Sequence, residues 1–282
     1  SARQVNRTYA AAAYGSRPGA MAAPSVVGNP PTSRRLAYQG ASLSGGPERA
    51  YDIYIRDWDA GTGTSLGGPG GMRQNPSWTP DGSRILYAEA TGNLDFFPTR
   101  IVSQSPTAGA SDRQVLWSTI RGCEFVSSPT QNAAGTLVFI YVPYTTSCIL
   151  EFTIARVTTP GGPAEIIHIP GTDPYSPTWS PSGAEIAFLE AARLQPSGAN
   201  NGSVKVMNSD GSNVRTVTTY VHHGDFSEFG FSLCWSADAS RIFFSRYDAP
   251  GTSHIYSVSV ADGTVTQITS APGVRDTSVS CS

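Results

Sequence analysis

The richest set of side chains able to do chemistry is "HHGDFSE", residues 222–228. His222, Asp225 and Glu228 could supply nitrogen and oxygen ligands to a divalent cation. Adjacent histidines point apart on an extended chain, so His222 and His223 would not both reach one ion. A solvated loop accounts for the same residues. "GTSLG" (63–67) has the spacing of a hydrolase nucleophile elbow around Ser65. That elbow needs a strand-to-helix turn, and "GPGG" follows instead, so Ser65 is not expected to be a nucleophile. Asp173, Asp225, Glu228 and Asp276 could pair as the two carboxylates of glycoside cleavage. No two of them share a motif, and hydrogen bonding in turns is their simpler role. No catalytic motif sits in a working context, so the chain is expected not to be an enzyme.

Cys123, Cys148, Cys234 and Cys281 contain no CxxC pair, which argues against a zinc or thioredoxin site. Their even count permits two disulfides.

The elements that must position these residues follow from composition and spacing. The 282 residues are 39% hydrophobic and 14% charged, enough to bury a core and unlike a disordered polyelectrolyte. The 29 glycines and 21 prolines are spread along the chain and predict many turns. A net charge of −2 without a basic stripe excludes an ordinary nucleic-acid binder. No apolar run approaches the roughly 20 residues of a membrane-spanning helix.

Three segments align directly: "NPSWTPDGSRILYAEA" (75–90), "SPTWSPSGAEIAFLEA" (176–191) and "SLCWSADASRIFFSRY" (232–247). "SPTQNAAGTLVFIYVP" (128–143) keeps the spacing with Gln131 in place of Trp, and "SRRLAYQG" (33–40) keeps the second half. Turn positions at Ser33, Gly82, Gly135, Gly183 and Ala239 recur about every fifty residues. A second turn marker follows each: Gly61, Gly109, Gly161, Gly211 and Gly263. Each unit reads as four short strands, the second apolar on both faces, as in "RILYA", "EIAFL" and "RIFFS". No segment keeps a 3.6-residue period, so little helix is expected. Stacking such sheets radially buries both faces. The sequence therefore predicts an all-β, five-bladed β-propeller of four-stranded blades. Trp78, Trp179 and Trp235 would pack between blades. The first repeat lacks an inner strand, and the C-terminal "RDTSVSCS" (275–282) lacks a partner, so the first blade is expected to be closed by the C-terminal strand. Cys281 then falls near the place held by Cys234, which makes a Cys234–Cys281 bridge plausible. Cys123 and Cys148 would share one end of the third blade.

The motifs "PSWTPDGSRILYA", "PTWSPSGAEIAFL" and "VKVMNSDGSNVRTVT" resemble the TolB-like, or PD40, WD40-like propeller repeats, over about 33–282. Members of that family are commonly periplasmic and often bind proteins, peptides or ions through the channel mouth and loops. TolB itself has six such blades and a separate N-terminal domain, where this sequence shows five repeats and an arm.

The arm, residues 1–32, is rich in Ala, Gly and Pro without an amphipathic period, so it would order only against a surface. The expected organisation is an extended arm (1–32) followed by the propeller (33–282). The expected function is a non-catalytic extracytoplasmic scaffold: a subunit or docking platform of a larger complex, a membrane-anchored one included, with no transmembrane segment of its own. The arm would be a docking element. The alternatives are a carbohydrate- or small-ligand-binding propeller and a channel-sited glycosidase or lyase. No cofactor is expected, a channel-bound ion such as calcium being the alternative. Tyr9, Tyr14, Phe96, Phe97, Tyr220, Phe226 and Phe229 are the candidate protein-binding anchors, since aromatics in variable loops often serve so. A leader is expected to have been removed before Ser1.

Overall fold

The computed structural model describes residues 3–6, 35–41, 51–57, 62–66, 73–90, 98–106, 109–119, 124–143, 151–169, 173–191, 200–222, 232–249, 252–270 and 278–281. Twenty-one strands run through them. β1 (Arg3–Asn6) lies in the arm, and β2 (Arg35–Ala41), β3 (Tyr51–Asp57) and β4 (Thr62–Ser65) form a three-stranded first sheet. The second sheet contains β5 (Arg73–Trp78), β6 (Ile85–Glu89), β7 (Arg100–Gln104) and β8 (Gln114–Ser118). The third contains β9 (Phe125–Gln131), β10 (Leu137–Val142), β11 (Thr153–Val157) and β12 (Glu165–Ile167). β13 (Asp173–Trp179), β14 (Glu185–Ala191), β15 (Asn200–Asn208) and β16 (Arg215–His222) make the fourth. β17 (Leu233–Trp235), β18 (Arg241–Ala249), β19 (Thr252–Ser259) and β20 (Val265–Gln267) make the fifth, and β21 (Ser278–Cys281) ends the described chain. One 3-10 turn, Gly109–Asp112, precedes β8.

The four-stranded sheets are antiparallel meanders, each one repeat of the sequence. Their first turn is the same object four times. Gly82 donates to Thr79, Gly135 to Asn132, Gly183 to Ser180 and Ala239 to Ser236, all through the backbone. Gly82, Gly135, Gly183 and Ala239 sit at φ of 66°, 84°, 71° and 55°. That left-handed region explains the glycines, and Ala239 occupies it against its Cβ.

A second repeated device bends the innermost strands. Asn75, Ser128 and Ser176 adopt φ of 53°, 52° and 50°, and each precedes a proline. The ladder register shifts at each of these points, between Gln74 and Ser77, between Val138 and Ile140 opposite Ser128, and between Tyr175 and Thr178. A bulge tolerates proline because its position needs no ladder N–H. The bulges also aim side chains sideways. Ser77 Oγ donates to the Pro129 carbonyl at 2.6 Å, and Thr130 Oγ1 to the Pro177 carbonyl at 3.2 Å. Trp235 Nε1 donates to the Thr178 carbonyl at 3.3 Å. Neighbouring innermost strands are thus stitched together in chain order.

The core lies between sheets. Trp179 packs with Val138, Ile140 and Ile154 of the third sheet, Trp235 with Leu189 and Val204 of the fourth, and Trp78 against Ile53 and Ile55 of the first. The tryptophans therefore pack between sheets, as their places in the repeat predict.

Ring closure differs from the expectation. Four blades have four strands; the first sheet has three among the described residues, and β21 does not complete it. β21 pairs antiparallel with β1, Arg3 opposite Cys281 and Asn6 opposite Ser278. The covalent anchor gives the reason. Cys281 is disulfide-bonded to Cys234 and packs with Cys234, Phe243 and Ile255. The bridge holds β21 against the fifth sheet, and its other edge takes residues 3–6 rather than 35–41. The predicted Cys234–Cys281 bridge is present; Cys123 and Cys148 lie outside the described residues.

Candidate functional site

In β6, β10, β14 and β18, alternate residues face the preceding sheet. They read Ile85-Tyr87-Glu89, Leu137-Phe139-Tyr141, Ile186-Phe188-Glu190 and Ile242-Phe244-Arg246. The first two of each triplet are essentially inaccessible to solvent and fill the inter-sheet cores. The third is polar every time. The repeat therefore places one polar group at the same level of four successive inter-sheet grooves, and each gathers partners there.

Between the first and second sheets, Arg73 bridges two carboxylates. Its Nη1 donates to Asp52 at 2.8 Å, and its Nε lies 3.5 Å from Glu89. Arg113 pairs with the other oxygen of Glu89, and Ser65 donates to Asp52. Arg73 and Glu89 are each only 5% exposed. Burial pushes the Asp52 carboxyl up, but donation from Ser65, Arg73 and the Ile53 N–H outweighs it and holds the group below its usual range. Ser65, the elbow candidate, is thus an exposed strand residue orienting Asp52.

In the next groove, Tyr141 donates to Glu124 at 2.9 Å. In the fourth sheet, Glu190 accepts from Ser203 and, at 2.6 Å, from Lys205, the only lysine of the chain.

The groove between the fourth and fifth sheets is different. It opens into a cleft of about 530 Å³ lined by Val221, Arg246, Asp248, His254, Tyr256 and Gln267. Arg246 and Asp248 come from β18, His254 and Tyr256 from β19, Gln267 from β20 and Val221 from β16. Asp248 accepts from Arg246 Nε at 2.8 Å, from Tyr256 at 2.8 Å and contacts His254 Nδ1 at 2.6 Å. Arg246 Nη2 donates to the Tyr256 hydroxyl at 2.8 Å, and its guanidinium lies 4.0 Å above that ring. Burial raises the Asp248 carboxyl, yet donation from His254, Arg246 and Tyr256 holds it below the usual carboxylate range. Burial and the bond to Asp248 push the Tyr256 phenol up, so it remains a donor. The arrangement can bind a polar ligand through fixed donors.

The sequence-predicted candidates fall elsewhere. Tyr220 is not a loop anchor: β16 runs through it, it is 8% exposed, and its ring packs 5.3 Å from that of Phe244. A β-branched run, "TVTTYVH", carries the strand past the expected loop start and turns Tyr220 inward. His222 ends β16, while Asp225, Glu228, Phe226 and Phe229 lie outside the described residues, as do Tyr9, Tyr14, Phe96, Phe97 and Asp276. Asp173 begins β13. No cluster of three or more metal-ligating side chains occurs among the described residues. Sequence reading missed Arg246, Asp248, His254 and Tyr256. Their alternation, Arg-Tyr-Asp then His-Ile-Tyr, was the available signal, since i and i+2 share a face.

No family model matches the chain, and no curated protein sequence does. Solved structures do. The putative TolB of Agrobacterium tumefaciens is 21% identical with a TM-score of 0.51, covering 67% of this chain and 62% of that one. TolB of Acinetobacter baumannii is 18% identical with a TM-score of 0.57, covering 83% of this chain and 52% of that one. An oligogalacturonate lyase in complex with manganese is 18% identical with a TM-score of 0.52, covering 84% of this chain and 62% of that one. The chain thus spans less than two thirds of the length of each, and identities this low speak for the fold alone. With the repeats and the stacked four-stranded sheets, they establish that this chain has a TolB-like β-propeller fold.

Proposed function

We propose that this protein is a non-catalytic interaction propeller, a subunit or docking platform of a larger extracytoplasmic assembly. The observation that carries the reading is the placement of four of the six exposed large aliphatic residues among the described residues. Val115, Ile166, Val221 and Val265 lie on β8, β12, β16 and β20, the outermost strands of the four four-stranded sheets, and are 39–47% exposed. Outermost strands also carry the unpaired backbone edges onto which another chain can add. Apolar side chains repeated along such edges favour contact with protein over water.

The Cys234–Cys281 disulfide supports an oxidising compartment. No helix among the described residues is long and apolar enough to cross a membrane. Residues 3–6 of the arm pair with β21, and the remainder of the arm is the proposed docking element.

The test is the size of the native assembly, isolated under mild conditions, for the intact protein and for a form lacking residues 1–32. A large assembly that releases the shortened form supports both the platform and the role of the arm. Two free monomers of about 30 kDa, as the chain mass requires, overturn the reading.

A further inference from the structure

The four grooves provide an internal comparison. Between the first and second sheets, an arginine stands between two carboxylates, one from its own sheet and one from the sheet before. Arg73 has Glu89 at 3.5 Å from its own sheet and Asp52 at 2.8 Å from β3. Between the fourth and fifth sheets, Arg246 has its own-sheet carboxylate, Asp248, at 2.6 Å. On the side where β3 supplies Asp52, the fourth sheet supplies no carboxylate to the lining; the cleft opens there, with Val221 of β16 at its border.

We propose that this cleft is a binding site for a carboxylate-bearing ligand, whose carboxylate takes beside Arg246 the place that Asp52 takes beside Arg73. The inference goes beyond the docking reading and does not depend on it. Arg246 engages Asp248 and Tyr256 through Nε and Nη2, and its Nη1 makes no hydrogen bond among the described residues. That leaves one arm of a guanidinium fork, held in place by stacking on Tyr256, for an incoming anion. Asp248 does not repel such a ligand unopposed, because Arg246, Tyr256 and His254 all lie against it. Arg73 shows the same cation holding two carboxylates at once. Gln267, exposed at the rim, flanks the site, and Val221 borders it. The volume lies in the range of small-molecule sites.

Isothermal titration calorimetry on the full chain tests the assignment, with succinate and its diamide as one pair of probes, and pentaglycine with a free or amidated C-terminus as the other. The acid of at least one pair should bind and its amide should not. Succinate alone binding assigns the site to free small acids, pentaglycine acid alone to peptide C-termini, and either supports the proposal. Arg246→Gln should weaken the acid at least about tenfold, the loss of one charge-assisted hydrogen bond. Equal binding of acid and amide, no binding of either acid, or undiminished binding by R246Q overturns the proposal.

Discussion

The ring of Tyr220 on β16 lies across the α-carbon of Gly202, its antiparallel partner on β15. A Cβ on residue 202 would stand 2.6 Å from two ring carbons of Tyr220. The glycine lets the ring settle into the core shared by the fourth and fifth sheets, against Phe244, one wall of the groove that opens at Arg246.

Gly202→Ala should therefore destabilise the protein by about 1–3 kcal/mol, the usual cost of forcing atoms into a packed site. Urea unfolding measures it. The double variant with Tyr220→Leu should recover part of the loss, because the clash partner is then absent. An additive pair would show that the ring is not what excludes a side chain there.

Removing the Cys234–Cys281 bridge by Cys281→Ser should free β21 from the fifth sheet, and β1 with it. The expected loss is about 2–4 kcal/mol in chemical unfolding. Limited proteolysis should then cut within the terminal residues before the repeats. Reductant should lower the stability of the native protein by at least as much as the substitution does.

Ala239 sits at φ 55° in a turn whose other three copies have glycine. Ala239→Gly should relieve the Cβ conflict and raise stability by about 0.5–1 kcal/mol, less what the freer unfolded chain takes back. Gly183→Ala, the reverse change in the fourth sheet, should lower it. Equal effects of both changes would show that the backbone conformation is not what selects glycine.

Acid should weaken these same turns. Donation from Thr79 and Ser83 lowers the Asp81 carboxyl to about 2, and donation from Ser236 and Ser240 lowers that of Asp238 to about 2. Both values lie below the ordinary carboxylate value of about 3.9. The folded state thus favours the ionised form. Its contribution is complete above pH ~4 and lost as pH falls through about 2. Asp81→Asn should flatten the stability profile between those limits, measured by thermal unfolding at stepped pH, and leave it unchanged near neutrality apart from a constant offset. An unaltered acid slope would remove Asp81 from the cause.

What the sequence determined by itself is local or repeated. Gly82, Gly135 and Gly183 were legible as turns because a positive φ is decided by one residue's own sterics. The inter-sheet tryptophans and the Cys234–Cys281 bridge were legible because the repeat assigns each its place without further folding information. The tertiary structure decided what depends on register between distant segments. The partner of β21 proved to be Arg3–Asn6, with the disulfide holding that strand beside the fifth sheet rather than beside β2. Tyr220 turned inward because β16 runs on to His222, through the point where a loop was expected. The cleft at Arg246, Asp248, His254 and Tyr256 exists only once β18 and β19 pair, with the register shift between Tyr247 and Ala249, and the edge of β16 comes to border it. Nearest-neighbour sterics are written residue by residue. Which side chains meet across a groove is set by the packing of whole sheets.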